Sequence, residues 1–208
     1  MDSEHRRLVE RLQDKNTSGD GSFRYVEGTL GGNHLILTQC GIGKVSAAVG
    51  ASELIRRFSP DCIVSTGVAG GIDACLKVTD VVASQRLVYH DVWCGDGNEY
   101  GQVQGFPASY EGCPSLLRHA LSLNEAGMES RIHSGLVCTG DRFITNRMEL
   151  DTIKQRFPGG LAVDMESAAI AQTCHLYNVP FLSFRIISDT PGVEDHASQY
   201  ADFWGTMA

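Results

Sequence analysis

The sequence predicts an α/β fold in which helices pack on both faces of a mixed β-sheet. Short apolar runs alternate with helical segments along most of the chain, and this alternation is typical of a sheet covered by helices. At 208 residues the chain suits one domain, and no internal repeat or low-complexity linker divides it. We therefore expect a single domain over residues 1–208.

Apolar spacing places the individual elements. Helices are predicted where apolar residues share one face, as Leu8, Val9 and Leu12 do, and strands where short apolar runs lie between turn formers. The predicted helices cover residues 4–14, 115–126, 147–156 and 167–177, and a further helix is opened by residues 41–44 and runs to about Phe58. The predicted strands cover residues 23–29, 34–38, 62–65, 78–84, 86–89, 135–139, 161–164 and 181–187.

The turns between the first elements are predicted from their composition. Residues 16–21 are a predicted loop because they are polar turn formers. Gly31-Gly32-Asn33 predicts the hairpin turn between the first two strands. Pro60 ends the second helix, because proline cannot continue a helical hydrogen-bond ladder.

Charge and composition exclude several classes of function. A net charge of −8 argues against nucleic acid or an anionic membrane as the main partner. The N-terminus lacks the apolar core of a signal peptide, and no apolar run approaches a membrane span of about 20 residues. No two of the seven cysteines have C-x-x-C spacing, so a zinc site has little support. We expect a soluble cytoplasmic protein with reduced thiols.

Two glycine-rich segments lie at predicted strand ends. Residues 41–44 (GIGK) precede a helix and fit either an anion site at the helix N-terminus or a tight turn. They lack the spacing of a P-loop or of a dinucleotide fingerprint. Residues 66–71 (TGVAGG) fit either a close approach of a ligand to the backbone or a crossover turn. Both alternatives stay open for each segment.

Charged residues cluster beside two other predicted strands. Residues 164–167 (DMES) follow one strand, and residues 185–189 (RIISD) end the last one. Carboxylates beside buried surface can have perturbed pKa values and act as acids or bases, although salt-bridged strand caps look the same in sequence. Two such clusters with an arginine between them favour a functional site. His90 beside Asp91 suggests a proton relay, but a supporting histidine is more common, and we do not assign it to catalysis.

The order of the motifs resembles a known family. CGIGKVSAAVGA, STGVAGGIDACLKVTDVV, YHD, NEYGQ, CTGDRFI, AVDMESAAIA and FRIISD occur in the order and spacing of the nucleoside phosphorylase/nucleosidase family. Within it, the chain is most similar to the bacterial nucleosidases that act on 5′-methylthioadenosine and S-adenosylhomocysteine. The resemblance implies a three-layer sandwich with a partly barrel-like central sheet, a small-molecule nucleoside substrate, and neither cofactor nor metal.

One position separates hydrolysis from phosphorolysis within the family. Phosphorylases resemble one another in having an arginine for phosphate where this chain has Ser65, and their early Gly-Asp-Pro-x-Arg-type segment is absent here. The resemblance therefore implies that water cleaves the N-glycosidic bond and releases adenine. A phosphorylase or nucleosidase for another purine nucleoside, and a nucleoside-binding homologue without catalysis, stay as alternatives.

The resemblance also implies residue roles. Asp189 matches the acid that protonates the purine's five-membered ring, with Ser188 orienting it. Arg185 matches a residue that positions the ribose carboxylate and the attacking water, and Glu4 matches the glutamate that activates water. The positions matching substrate-binding residues are Glu166 and Met165 at the ribose, Phe143 and Ile144 at adenine, Asp164, Val68, and Tyr200 and Phe203 over the 5′-alkylthio group.

The chain departs from the family at a few points. Asp164 stands where the nucleosidases usually have glutamate, and Val68 replaces a serine near the water site. The family's first strand and part of its last helix have no counterpart in residues 1–208. The segment from Val92 to Gly95, together with Pro107, matches a loop that reaches into the neighbouring subunit's site, which implies a homodimer.

Overall fold

A computed structural model describes residues 2–127, 130–190 and 196–207. Its α-helices are α1 Asp2–Arg11, α2 Lys44–Phe58, α3 Pro114–Ser122, α4 Arg147–Arg156, α5 Ser167–Tyr177 and α6 His196–Met207. Its strands are β1 Gln13–Asp20, β2 Phe23–Leu30, β3 Asn33–Thr38, β4 Ile63–Gly71, β5 Val81–Tyr89, β6 Tyr110–Glu111, β7 Ile132–Thr139, β8 Gly160–Asp164 and β9 Phe181–Asp189. Over the described ranges, no helix has the length and apolar composition that a membrane span requires.

The larger sheet closes on itself into a five-stranded barrel. Its order is β5-β7-β8-β4-β9, and a pairing between β9 and β5 completes the ring, while β6 adds to the outer edge of β5. Strands β5, β7 and β8 run parallel to one another, as do β4 and β9, and antiparallel pairs join the two sets. This confirms the mixed, partly barrel-like sheet and the flanking helices.

Small side chains on α5 let the helices approach the barrel closely. Ala168 and Ala171 belong to the same buried cluster as Val82 and Val137 of the barrel, and α5 also packs against α2. Each fully buried aliphatic side chain of such a core contributes about 1.5–3 kcal/mol. The strand ends that carry the candidate site therefore rest on a well-packed base.

The first sheet corrects the predicted loop at residues 16–21. Residues 16–20 belong to β1, which pairs antiparallel with β2, and β2 pairs in turn with β3. The prediction failed because β1 lies at the edge of this sheet with nearly every side chain exposed, so no apolar alternation marks it. The chain reverses through Gly21, which adopts a positive φ of 52°. The hairpin about Gly31 and Gly32 is confirmed.

Several other helix and strand boundaries differ from the predicted ones because contacts between distant residues determine them. Strand β4 continues through the glycine-rich residues 66–71, because it pairs with β9 from Ile63 to Gly70 and with β8 at Gly70 and Gly71. The predicted strands 78–84 and 86–89 are one strand, β5, with an irregularity after Ser84 opposite β7. The first helix ends at Arg11, and the helix predicted over residues 115–126 becomes a 3₁₀ turn at Leu123–Ala126. Strand β6 is not predicted, and helix α6 is implied only by the family resemblance, as the remaining part of its last helix.

Candidate active site

Strand pairing brings the two predicted acidic clusters together. Gly70 of β4 lies opposite Val163 of β8 on one side and Asp189 of β9 on the other. The ends of β8 and β9 therefore meet across β4, although residues 164 and 189 lie on separate strands. A ligand at this edge faces both clusters, as ligands at the strand ends of α/β sheets do.

Arg185 is the centre of a buried polar network. Its side chain is 4% exposed, and its Nε donates to Asp164 Oδ2 at 2.8 Å and to Ser167 Oγ at 3.0 Å. Its Nη2 donates to Ser65 Oγ at 3.2 Å. A Cβ built on Gly67 would overlap Nη1 of this guanidinium. Gly67 thus leaves the space in which Arg185 lies.

Asp164 is held by the protein on several sides. It accepts from Thr139 Oγ1 at 2.6 Å and from the Ser167 backbone N–H at 3.1 Å, and it also contacts the Ser167 hydroxyl and Arg185. A buried ion pair needs this many hydrogen bonds to offset the cost of removing both charges from water. In the structure, Asp164 therefore holds the Arg185 side chain in position.

Glu166 lies between Arg185 and the turn before α2. Its Oε2 is 3.9 Å from Arg185 Nη2, and its Oε1 accepts from the Gly43 N–H at 3.0 Å. Burial, and then the nearby Asp164 carboxylate, raise the pKa of Glu166, while Gly43 and Arg185 act in the opposite direction. With few protein donors bound to it, this carboxylate is suited to accept further hydrogen bonds from hydroxyl groups.

Asp189 lies in a narrow space at the end of β9. The residue is 7% exposed, and Ser188 Oγ donates to its Oδ1 at 2.7 Å. A Cβ on Gly70 would lie 3.2 Å from Asp189 Oδ2, so this glycine admits the carboxylate. Val68, two residues earlier on β4, is half-buried.

The residues predicted to bind adenine (Phe143 and Ile144) and the 5′-alkylthio group (Tyr200 and Phe203), which we call the base-binding group, differ widely in exposure. The Phe143 ring is 56% exposed and lies edge-on to Tyr200, with the two centroids 5.2 Å apart. Ile144 and Phe203 are buried, and Met165 is half-buried. The structure thus brings Phe143 and Tyr200 together from segments far apart in sequence.

The sequence analysis did not predict a cluster of charged residues that lies next to this group in the chain. Lys44, Asp91 and Asp141, which we call the Lys44 cluster, join the turn before α2 to the segments after β5 and β7. The sequence feature that could have indicated this cluster is residues 41–44 (GIGK), for which an anion site was one of the two predicted alternatives. The backbone N–H groups of Gly43 and Lys44 do bind anions, namely the Glu166 and Asp141 carboxylates of the protein itself.

Two further predictions concern the edges of the site. Glu4 belongs to α1, but its side chain lies outside the described residues. Val92 and Gly95 are half-buried and Pro107 is exposed, on a loop that also exposes Trp93. In the described part of the chain, no group of three or more His, Cys, Asp or Glu side chains is arranged to hold a metal ion.

A cavity of about 380 Å³ adjoins the base-binding group. It is lined by His90, Asp91, Tyr100, Arg142, Ile144, Glu149, Thr152, Ile153 and Arg156. Asp189 and Glu166 are not part of this lining, so the cavity lies beside the acidic site rather than in it.

Comparison with known proteins identifies the family. A family model described as the phosphorylase superfamily matches residues 1–206. The chain belongs to the phosphorylase superfamily. Among curated members, the 5′-methylthioadenosine/S-adenosylhomocysteine nucleosidase of Chromohalobacter salexigens is 42% identical over 199 residues, which cover 95% of this chain and 85% of the relative. The enzyme of the same name from Pseudoalteromonas translucida is 40% identical, with the same coverage.

Solved structures of phosphorylase superfamily members superpose closely. The 5′-methylthioadenosine/S-adenosylhomocysteine nucleosidase of Neisseria meningitidis, in complex with methylthio-immucillin-A, gives a TM-score of 0.92 at 35% identity, covering 98% of this chain and 88% of that one. The corresponding nucleosidase of Colwellia psychrerythraea, in complex with adenine, gives 0.92 at 36% identity, covering 98% and 84%. The nucleoside phosphorylase-like fold implied by the sequence motifs is confirmed.

Proposed function

We propose that the chain hydrolyses the N-glycosidic bond of 5′-methylthioadenosine, S-adenosylhomocysteine or both, releasing adenine. The observation that carries this proposal is the meeting of Ser188 and Asp189 with the network of Glu166 and Arg185 at one edge of the barrel. Relatives that carry the nucleosidase name and cover most of this chain support the same reaction.

Asp189 is the proposed general acid. N-glycosidic cleavage needs a better leaving group, and protonation of the purine's five-membered ring provides one. The hydrogen bond from Ser188 at 2.7 Å fixes one carboxyl oxygen, which leaves Oδ2 on the side of Gly70. A positioned acid of this kind contributes about 10²–10⁴-fold to the rate.

Glu166 is the proposed ribose ligand. Its carboxylate accepts hydrogen bonds from the 2′- and 3′-hydroxyls, and its negative charge stabilises the oxocarbenium character of the sugar as the bond breaks. Arg185 holds Glu166 and the attacking water in place, while Asp164 acts on the site through Arg185. Met165 and Val68 line the sugar and water positions.

Water is the proposed nucleophile. Ser65 occupies the position of the phosphorylase arginine, and its hydroxyl accepts from Arg185, whose guanidinium is bound to protein groups rather than open to phosphate. The oxygen of water attacks C1′ as the bond to the purine nitrogen breaks. Asp189 supplies the proton to the base, and Glu4 is the proposed acceptor of the water proton.

The remaining positions hold the two ends of the substrate. Phe143 stacks on adenine, and the backbone of Ile144 contacts the base edge. Tyr200 and Phe203 cover the 5′-alkylthio group, and the contact between Phe143 and Tyr200 is consistent with a single enclosing wall. No cofactor is part of this proposal.

A homodimer is part of the proposal. Exposed apolar side chains, at Ile42, Val45, Trp93 and Met148, lie near the turn before α2, on the loop after β5 and at the start of α4. Val92, Gly95 and Pro107 would contact the neighbouring site. Light scattering would give twice the chain mass for the dimer and 22.5 kDa for a monomer.

We place the protein in the cytoplasm, in methionine salvage. All seven cysteines are free thiols, which suits a reducing compartment. The reaction would recycle the by-products of reactions that use S-adenosylmethionine.

The test is chromatographic measurement of adenine release from 5′-methylthioadenosine, with and without phosphate. We expect adenine and free 5-methylthioribose in the absence of phosphate. A strict requirement for phosphate, with a sugar 1-phosphate as product, would assign the chain to the phosphorylases. Adenine binding without cleavage under either condition would leave only a binding protein.

A further inference from the structure

Three backbone segments meet at the Lys44 cluster. Lys44 Nζ donates to both oxygens of Asp91, at 2.9 and 2.8 Å. The same Asp91 accepts the Asp141 N–H at 2.9 Å, and Asp141 accepts the Lys44 N–H at 2.7 Å. Each member therefore contacts the other two, and the first residue of α2 is bonded to the segments that follow β5 and β7.

The cluster is shielded enough for its charges to matter. The side chains of Lys44 and Asp91 are 24% and 20% exposed, and the ammonium lies 5.4 Å from the centre of the Tyr89 ring. Burial acts to raise the pKa of Asp91, but hydrogen bonds from Lys44 and Asp141 outweigh it and hold that pKa below its usual value. A partly desolvated pair in a network is stronger than an isolated surface pair.

Two glycines allow the segments to touch. A Cβ on Gly140 would overlap the His90 ring and lie 3.0 Å from Asp91 Cγ. Gly43 has a positive φ of 87°, and a Cβ there would lie 3.0 Å from Asp141 Oδ1. The close approach depends on both positions lacking a side chain.

The cluster lies immediately before the base-binding group. Asp141 is two residues from Phe143, whose ring is largely exposed. Arg142 between them is also mostly exposed and pairs with Glu149. The segment is held before Phe143 by the hydrogen bonds of the Gly140 N–H to Asp164 O and of the Asp141 N–H to Asp91, and after it by the burial of Ile144. Of these contacts, the one through Asp91 joins the segment to Lys44.

We propose that Lys44 and Asp91 are positioning residues for purine recognition. Lys44 fixes the Asp91 carboxylate, and Asp91 in turn fixes the backbone N–H of Asp141. This chain of contacts determines where Phe143 and Ile144 lie relative to the purine base. Neither charged side chain contacts the substrate. This inference rests on the proposed function, because it takes adenine as the base that the segment binds.

The experiment measures base affinity and turnover in matched variants. Lys44→Met removes the ammonium, Lys44→Arg retains a cation, and Asp91→Asn removes the opposing charge. Lys154→Met is the control, because Lys154 pairs with Asp73 and its partner carboxylate is similarly half-buried, but it does not contact Asp141. Calorimetry gives the affinities for adenine and hypoxanthine, and kinetics with 5′-methylthioadenosine give kcat and KM.

Lys44→Met and Asp91→Asn should each weaken adenine binding about three- to tenfold, the size of a coupled pair in contact. We expect KM to rise by a similar factor, kcat to change less than adenine affinity, and the preference for adenine over hypoxanthine to narrow. Lys44→Arg should recover most of the affinity. Lys154→Met should lower the melting temperature without changing either affinity.

A double variant separates positioning from general destabilisation. If Lys44 acts through Asp91, the combined change weakens adenine binding no more than the stronger single change. Additive losses, unchanged adenine affinity in both single variants, or an equal loss in Lys154→Met would each overturn the inference. Failure of the wild-type protein to bind adenine would instead overturn the proposed function, and this inference with it.

Discussion

The proposed ribose side and the proposed base side of the site are built in different ways. Asp164 and Arg185 beneath the ribose position are almost fully buried and bind each other and neighbouring hydroxyls. Phe143 and Arg142 on the base side are mostly exposed. The first region is fixed by the packing of the barrel, whereas the second combines exposed side chains with the buried Ile144 and a few backbone hydrogen bonds. Charge stabilisation needs the rigidity of the first, and entry of a flat base needs access through the second.

Asp189→Asn should have the largest effect, and it tests whether the buried side performs chemistry. Asparagine keeps an oxygen for the Ser188 hydroxyl but cannot supply the acid proton. We expect kcat to fall about 10²–10⁴-fold, while adenine affinity and melting temperature stay near those of the wild type. Adenine release assayed by chromatography provides the measurement, and full activity in this variant would remove Asp189 from the acid role.

Arg185→Met tests whether the buried side is also a structural support. Removing one partner leaves the Asp164 carboxylate buried without its cation, which costs about 3–5 kcal/mol of the free energy of unfolding. The matched change on the exposed side is Arg142→Met, which breaks a surface pair with Glu149 and should cost less than about 1 kcal/mol. Urea denaturation gives both values, and equal losses would contradict the contrast between the two regions.

Phe143→Ala tests the exposed side alone. Stacking of an aromatic side chain on a base contributes about 1–3 kcal/mol, so we expect KM for 5′-methylthioadenosine to rise roughly tenfold or more. The free energy of unfolding should change little, because the ring is exposed without substrate. Leu176→Ala, at an exposed residue on α5, serves as a control with unchanged KM.

Glu166→Gln has a small expected effect on the melting temperature, and whether that temperature rises or falls is informative. Burial raises the pKa of Glu166, so the folded state binds this proton more tightly than the unfolded state does. Stability from this group therefore falls as pH rises from the unfolded to the folded pKa. A permanently neutral glutamine should leave the melting temperature at pH 7 equal to or above that of the wild type, while activity is lost. The measurement is the difference in melting temperature between Glu166→Gln and wild type, at pH 5 and at pH 7. A difference that becomes more negative from pH 5 to pH 7 would contradict this expectation.

The sequence predicts those helices and strands whose conformation is determined by interactions between residues close together in the chain. The bounds of α4 and α5 agree with the sequence prediction. Helix α4 begins with the Asn146 side chain accepting the Glu149 N–H at 2.9 Å, a hydrogen bond between residues three apart. Strand β1 was missed because its residues are polar and exposed. Its strand conformation comes from pairing with β2, which no local pattern encodes.

The candidate site shows the same division. The acidic positions could be predicted because their motifs are short and contiguous in sequence. The hydrogen bond from Gly43 to Glu166 could not, because it joins residues 123 positions apart through the packing of α2 and α5. The role of Gly67 was also hidden, since a residue that acts by having no side chain leaves no chemical signature.

Because Nη1 of Arg185 occupies the space that a side chain at residue 67 would need, these two positions are structurally coupled. A methyl group there would collide with the guanidinium, so any change at residue 67 acts as a change at residue 185. A mutational scan would then score a glycine without functional groups as sensitively as the arginine itself. Engineers who alter the nucleoside preference of this scaffold would need to leave both untouched, or replace both together.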